Sequence, residues 1–259
     1  MSLNRRLAVT LALASSVVSL GAQQPSSNPP LSNRELATSR LSGLARDLAC
    51  APSSPMVKPT PALVVVGGRE HRKTLFGTGD ALVIRGGAAQ GVKAGDEYFI
   101  RRVVDDRYNE HQPGVYPVSI STAGTAQIVE TQNDYSVALV TNGCDGVSDG
   151  DYLERYEAPA TAVAPSGATP DYSQPARLIL GAERRQIGGP GEFMILDRGS
   201  IHGIRPGQQL TIFRRTVADG PVANVGRATV FGLESESSVV RIDSSIDAVY
   251  VGDLVAIHR

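Results

Sequence analysis

An internal repeat of glycines constrains the fold of this 259-residue chain more than any other feature of its sequence. Four glycines recur without a gap at the distance of 112 residues that separates Gly79 from Gly191, and two more recur at the distance of 102 residues that separates Gly124 from Gly226. The six pairs are Gly79/Gly191, Gly87/Gly199, Gly91/Gly203, Gly95/Gly207, Gly124/Gly226 and Gly150/Gly252. Two copies of one small module therefore follow one another along the chain.

The two distances differ because the first copy carries ten extra residues between Arg102 and Gly124. This insert contains Asp105, Asp106 and His111. Loops on a rigid scaffold commonly carry recognition, so the insert is the first place to expect a function that the second copy lacks.

The repeated pattern predicts an all-β module of about six short strands. Apolar runs such as 82–84 and 194–196 are bounded by glycine-rich turns. Short strands separated by regular turn signals are typical of small barrels and sandwiches. We therefore predict two tandem copies of a six-stranded barrel or sandwich, at 62–156 and 176–259, each long enough to bury its own core.

The repeated glycines surround a predicted double turn in each copy. Glycine adopts positive φ without steric cost, and Pro206-Gly207 suits the two central positions of a type II turn. We expect the single apolar residue between the two turns, Val92 or Ile204, to plug one end of the core.

The first 22 residues have the order of a secretory signal peptide. Arg5 and Arg6 provide the positive start, residues 7–20 are apolar or small, and Gly21-Ala22 offer a small-residue cleavage site. The apolar run is shorter than the roughly 20 residues of a membrane span. We expect cleavage after Ala22, no transmembrane segment in the mature chain, and a periplasmic or secreted location.

Two segments have the composition of linkers. Residues 23–61 are rich in Pro and Ser, apart from one short helix that a capping box and leucine spacing predict at about 33–49. Residues 157–175 are rich in Pro, Ala and Ser and are predicted to form an exposed tether. The two modules would then move independently unless their surfaces dock.

The chain has two cysteines, Cys50 and Cys144. In an exported protein they can form a disulfide, which would tie the N-terminal segment to the first module. The alternative is two buried free thiols. Two cysteines without nearby histidines do not make a metal site, and we expect neither a metal nor a cofactor.

The charge balance argues against a nucleic-acid partner. The chain has 25 basic and 26 acidic residues, whereas phosphate binders need a basic surplus. Aromatic residues make up 5% of the chain and Trp is absent, which disfavours a stacking platform for bases. The expected partner is an envelope protein or a cell-wall polymer, and an exposed sheet edge leaves homo-oligomers open.

Both copies resemble a small β-module of exported bacterial proteins, and segments of the second copy show the resemblance most clearly. The similarity lies in residues 199–214, in residues 226–231 and in the closing Val251-Gly-Asp-Leu-Val. Similar modules accompany peptidoglycan-binding LysM domains and form the C-terminal part of flagellar assembly protein T. The resemblance implies a small β-fold and a role in the cell envelope, and it carries over no functional residues because the matched positions are turns and strands.

The sequence contains no nucleophile elbow, phosphate-binding loop or dinucleotide-binding motif. Arg102 and Arg214 occupy equivalent positions and either clamp an anionic ligand or pair with a local acid. Tyr108, His111 and Tyr116 of the insert are the other candidate ligand-binding residues. We therefore predict a non-catalytic binding or assembly protein, and the alternative is a hydrolase with a site between the modules or at the 103–123 insert.

Overall fold

Each repeat forms a closed six-stranded antiparallel β-barrel, which confirms the prediction of an all-β fold with two tandem copies. The structure is a computed structural model that describes residues 48–70, 73–104, 117–157, 168–217 and 220–259. The predicted signal peptide and residues 33–47 of the predicted helix lie outside the described residues, and Leu48 and Ala49 have helical backbone.

The six strands of the first barrel are β1 (Val64–Gly68), β2 (Ala81–Arg85), β3 (Glu97–Val103), β4 (Ile120–Thr131), β5 (Tyr135–Gly143) and β6 (Tyr152–Arg155). Their order around the barrel is β1-β2-β5-β4-β3-β6, and the barrel closes through the pairing of Val64 with Tyr152.

The second barrel repeats this topology with the order β10-β11-β12-β9-β7-β14. An additional two-stranded sheet, β8–β13, corresponds to the isolated bridge between Phe76 and Val147 in the first copy. The strands are β7 (Pro170–Gly181), β8 (Ile187–Gly188), β9 (Phe193–Leu196), β10 (Gln209–Arg215), β11 (Val222–Leu233), β12 (Ser238–Ser245), β13 (Val249–Tyr250) and β14 (Leu254–His258).

Alternation of side chains along the strands creates one core inside each barrel. In β2, Leu82 and Ile84 point into the first barrel and are fully buried, whereas Ala81 and Val83 lie on its outer surface. In β9, Met194 and Leu196 occupy the matching inward positions. Each barrel thus buries its own apolar cluster, as the period of two in a strand requires.

The double turn after β2 and β9 closes one end of each barrel. A short 3₁₀ turn is followed by a glycine in the left-handed region, Gly91 with φ of 80° and Gly203 with φ of 81°. Val92 and Ile204 then point into the barrel cores and are buried, which confirms that they plug the ends of the cores.

The predicted boundary between linker and second module is wrong by six residues. Strand β7 begins at Pro170 instead of after residue 175, because Asp171 and Pro170 pair with Ile257 and His258 of β14. The pairing of β7 with β9 starts only at Leu178, so the proline-containing part has a single neighbour and tolerates the missing N–H groups. The central part of the predicted tether, 158–167, lies outside the described residues.

The fourth strand of each barrel begins four residues before the repeated glycine that it contains. Strands β4 and β11 start at Ile120 and Val222, and Gly124 lies inside β4 beside a break in register. A Cβ atom at Gly124 would stand 2.3 Å from the carbonyl oxygen of Asn142. The glycine therefore permits a close approach between strands and does not mark a turn.

A segment predicted as linker, residues 51–57, joins the two barrels, and we call it the wedge. Ser53 exchanges backbone hydrogen bonds with Ile120 of the first barrel, at 3.0 and 3.1 Å. Ser54 is fully buried, and its hydroxyl and carbonyl oxygens lie 3.1 and 2.8 Å from the Ser237 hydroxyl of the second barrel. Both barrels accordingly belong to one compact unit.

The plugging role of Ile204 predicts a large loss of stability when the side chain is shortened. We expect Ile204→Ala to lower the free energy of unfolding by about 2–4 kcal/mol, because it leaves a cavity at a site that is only 2% exposed. Ile201→Ala is the matched control in the same turn, since Ile201 is 65% exposed. Urea titration measures both, and equal effects of the two substitutions would contradict the assignment.

Candidate functional site

The repeated arginines form the same partly buried ion pair in both barrels. The Nε atom of Arg102 donates to Asp151 at 2.7 Å, and its NH2 group donates to the other carboxylate oxygen at 2.7 Å. Arg214 binds Asp253 in the same bidentate way, at 2.7 and 2.8 Å. Asp151 is almost completely buried, and the carboxylate raises the pKa of the Arg102 guanidinium.

Of the two roles left open for these arginines, the structure therefore favours pairing with an internal acid. The NH2 groups also donate to backbone carbonyl groups, of Gly146 in the first barrel and Ala248 in the second. An anionic ligand would have to displace a buried aspartate from a bidentate pair, which is a costly exchange. The pairs hold the closing Gly-Asp turn of each barrel against the end of β3 or β10.

The other predicted ligand-binding residues lie outside the described residues. Tyr108, His111 and Tyr116 belong to the stretch 105–116, for which the structure gives no description. Their role, and that of the insert as a binding loop, stays a prediction.

A second ion pair is common to both barrels, and it was not predicted from the sequence. Lys73 contacts Asp80 at 2.7 Å in the first barrel, and Arg185 contacts Glu192 at 2.6 Å at the equivalent place in the second. The distance of 112 residues relates both partners, but both residue types change between the copies. Aligning charge signs as well as glycines would have revealed this pair.

A cavity lined by residues of both barrels lies beside the wedge, and we call it the inter-barrel cavity. Its volume is about 360 Å³, within the range typical of small-ligand sites. Phe99 and the aliphatic wedge residues form one wall, and Phe231 and Leu233 of β11 form the other. The apolar walls therefore come from both copies of the module.

Arg101 organises the floor of the inter-barrel cavity. Its Nε atom donates to Glu154 at 2.8 Å, its NH1 group donates to Thr122 and to the carbonyl oxygen of Ala51 at 3.0 Å, and its guanidinium lies 4.2 Å from the ring centre of Phe99. This single side chain thereby connects strand β6, strand β4 and the wedge.

The charge of the inter-barrel cavity is negative overall. Its charged lining consists of two arginines and three glutamates, so one carboxylate is in excess. Loss of solvation and the nearby Glu154 carboxylate raise the pKa of Glu234, and Arg101 only partly opposes them. The charged residues are Arg101, Arg155, Glu154, Glu157 and Glu234. A cationic group is consequently the chemical partner that this cavity favours.

The disulfide predicted between Cys50 and Cys144 is present, and it anchors the wedge. Cys50 immediately precedes Ala51, whose carbonyl oxygen accepts hydrogen bonds from Arg101 and Thr122. The cross-link therefore fixes the start of the wedge to the first barrel at the edge of the inter-barrel cavity.

No known protein family matches the chain, and no curated protein has significant sequence similarity to it. Within the described residues, no helix has the length and apolar character needed to cross a membrane. The described residues also contain no group of three or more His, Cys, Asp or Glu side chains arranged to hold a metal ion.

The cavity residues escaped detection in the sequence because they are not repeated. Phe213 stands in the second barrel at the position of Arg101, and Ala256 stands at that of Glu154. The repeat identifies positions that both barrels need for folding, whereas a site between the barrels uses positions where the copies differ. The sequence signal that could have revealed the cavity residues was the presence of a charged residue in one copy and not in the other.

The anchoring role of the disulfide predicts a stability loss without it. We expect Cys50→Ser/Cys144→Ser to lower the free energy of unfolding by about 2–4 kcal/mol, because the bond closes a loop across a sequence separation of 94 residues. Chemical denaturation of the double variant and of reduced wild type should give the same midpoint. An unchanged midpoint in either protein would contradict the prediction.

Proposed function

We propose that this chain is a non-catalytic, exported binding or assembly protein of the bacterial cell envelope. Its ligand is an amine-bearing peptide segment of an envelope protein or cell-wall polymer, held in the inter-barrel cavity. The observation that carries this proposal is the combination of aromatic walls with an excess of carboxylates between two docked barrels.

The shape of the cavity suits a small, extended cationic group. A volume of about 360 Å³ accommodates one side chain with its adjoining backbone, and not a folded domain. Phe231 and Leu233 offer apolar contact to the aliphatic part of such a group, and Glu234 offers its charge to the amine. An aromatic face beside a carboxylate also supports cation–π attraction.

The wedge and the disulfide support a binding role because they hold the cavity in one shape. A preorganised site loses less conformational entropy when a ligand binds. The disulfide also suits an oxidising compartment, and the resemblance of the module to those of LysM proteins and flagellar assembly protein T supports the envelope assignment.

A hydrolase with its site between the modules is the second candidate function. It is favoured by one observation, the raised pKa of Glu234 near a second carboxyl group, that of the arginine-paired Glu154. A carboxyl group whose pKa is raised beside a second carboxyl group can act as a general acid. Release of soluble fragments from the polymer, abolished by Glu234→Gln, would favour this candidate over simple binding.

The binding proposal is tested by co-sedimentation of the purified chain with isolated peptidoglycan sacculi. We expect saturable pelleting, and Glu234→Gln should weaken it by about tenfold because the variant loses the charge that attracts the amine. Glu236→Gln is the matched control, since Glu236 is exposed two residues away. Equal pelleting of both variants would reject the inter-barrel cavity as the binding site. No pelleting of wild type would reject the polymer as ligand, and in-cell crosslinking would then test for a protein partner.

The raised pKa of Glu234 predicts a pH dependence of both binding and stability. Amine binding requires the carboxylate, so it should be lost as pH falls through a pKa higher than that of an ordinary glutamate. Folding instead favours the protonated form, so the stability that Glu234 contributes at low pH is lost as pH rises through its folded pKa. Thermal melts at neutral pH should therefore show Glu234→Gln to be more stable than wild type, and Glu236→Gln unchanged. A destabilised Glu234→Gln would contradict this.

A further inference from the structure

Strands β4 and β11 extend beyond the strand that pairs with them on one side. The pairing of β4 with β5 begins at Gly124, and the pairing of β11 with β12 begins at Gly226. Residues 120–122 and the equivalent residues 222–224 therefore have a barrel strand beside them on one side only, β3 or β10. Each barrel, although closed, keeps a short strand edge at this place.

The wedge covers this edge in the first barrel. Ser53 and Ile120 exchange two backbone hydrogen bonds of 3.0 and 3.1 Å, and Ile120 is only 1% exposed. The disulfide between Cys50 and Cys144 fixes the covering segment beside the edge, with the two Cα atoms 5.5 Å apart. The first barrel thus shows how this edge is covered, by an extended segment that joins the strand through its backbone and is anchored at position 144.

The equivalent edge of the second barrel is uncovered, and we call residues 222–224 the open edge. Val222 stands at the position of Ile120 and is 37% exposed. Both residues have the same register with the preceding strand, so the N–H and C=O groups of Val222 point away from β10, as those of Ile120 point away from β3. Among the described residues, none forms a backbone hydrogen bond with these two groups. A free strand edge is a template for pairing with another chain.

An exposed apolar side chain lies beside the open edge, where the first barrel has its covalent anchor. Ile246 stands at the position of Cys144. The N–H groups of these two residues donate to equivalent carbonyl oxygens, those of Val225 and Ala123. The side chain of Ile246 is 88% exposed. It therefore offers apolar contact to an added segment at the point where the first barrel uses a disulfide.

The surroundings of the open edge favour an uncharged segment without large side chains. The charges next to the edge balance, since Asp247 pairs with Arg214 at 2.8 Å. The wedge, residues 51–57, likewise carries no charge. Tyr172 already covers Phe213 on the adjoining outer face, with ring centres 5.0 Å apart. An added segment consequently needs no bulky residue to cover that face.

We propose that the open edge binds an extended, uncharged segment of a partner protein, rich in proline and small residues like the wedge, by β-strand addition. Proline is compatible with this mode, because neighbouring residues of a strand direct their backbone groups to opposite sides. In the wedge, Pro52 accordingly precedes the bonding residue Ser53. The proposal does not depend on the ligand of the inter-barrel cavity, which lies at the other end of β11.

Disulfide trapping with a synthetic peptide of residues 50–57 tests the open edge. If the peptide docks as the wedge does, its cysteine lies beside position 246. Ile246→Cys should then form the mixed disulfide in a glutathione redox buffer at least about tenfold more than an exposed cysteine elsewhere, because docking raises the effective concentration. Ile201→Cys is the matched control, since Ile201 is 65% exposed on another turn of the same barrel. Mass spectrometry with peptide mapping measures the mixed disulfide at each introduced cysteine, and equal trapping would overturn the proposal.

Removal of single backbone donors separates strand addition from a generally reactive cysteine. Val222→Pro/Ile246→Cys lacks the N–H group of the open edge and should trap no more peptide than Ile201→Cys. Proline is tolerated at the first residue of a strand. N-methylation of the peptide at the position of Ser53 removes the opposite donor without altering the protein, and it should have the same effect. Undiminished trapping of the methylated peptide would contradict strand addition and overturn the proposal.

Sedimentation velocity distinguishes a partner protein from a second copy of this chain. We expect wild type and Val222→Pro to have the same sedimentation coefficient at every concentration, since each chain's wedge is held by its own disulfide. Self-association of wild type that Val222→Pro abolishes would assign the open edge to a second copy and overturn the partner protein as its occupant.

Discussion

The wedge is the physical constraint on which the arrangement of this protein depends. Among its seven residues, Ser53 exchanges backbone hydrogen bonds with Ile120 of β4 in the first barrel, and Ser54 forms hydrogen bonds with the Ser237 hydroxyl of the second. Because Ser54 is fully buried between the barrels, separating them would expose polar groups that now satisfy one another. The disulfide at Cys50 holds the start of this segment in place. The same segment therefore docks the barrels and lines the cavity between them.

Duplication of the module explains both what the barrels share and how they specialise. Bidentate arginine–aspartate pairs close the same turn in each barrel, and an apolar plug fills the same end of each core. The outer surfaces have diverged: the first barrel supplies Arg101 and Glu154 to the cavity, and the second supplies Phe231 and Glu234. The single chain thereby contains a cavity that neither copy forms alone.

Glu234 combines a cost in stability with a central place in the proposed binding site. A carboxylate that is desolvated and close to a second carboxylate has a raised pKa, which means that its charged form destabilises the fold at neutral pH. Residues retained at such a cost are frequent in binding and catalytic sites. The aromatic walls around Glu234 also cost stability, because Phe231 would stabilise the fold more if it were completely buried than it does in the wall of an open cavity.

The sequence by itself determined the duplication, the six-stranded all-β module and the apolar plugs, because these depend on local turn geometry and on the alternation of side chains along strands. Pairing of Cys50 with Cys144 could be predicted for a different reason, since the chain has no other cysteine. Only the tertiary structure decided that residues 51–57 join the barrels and that Pro170 begins a strand. These outcomes depend on partners far away in sequence, such as Ser237 and His258, and no local pattern encodes them.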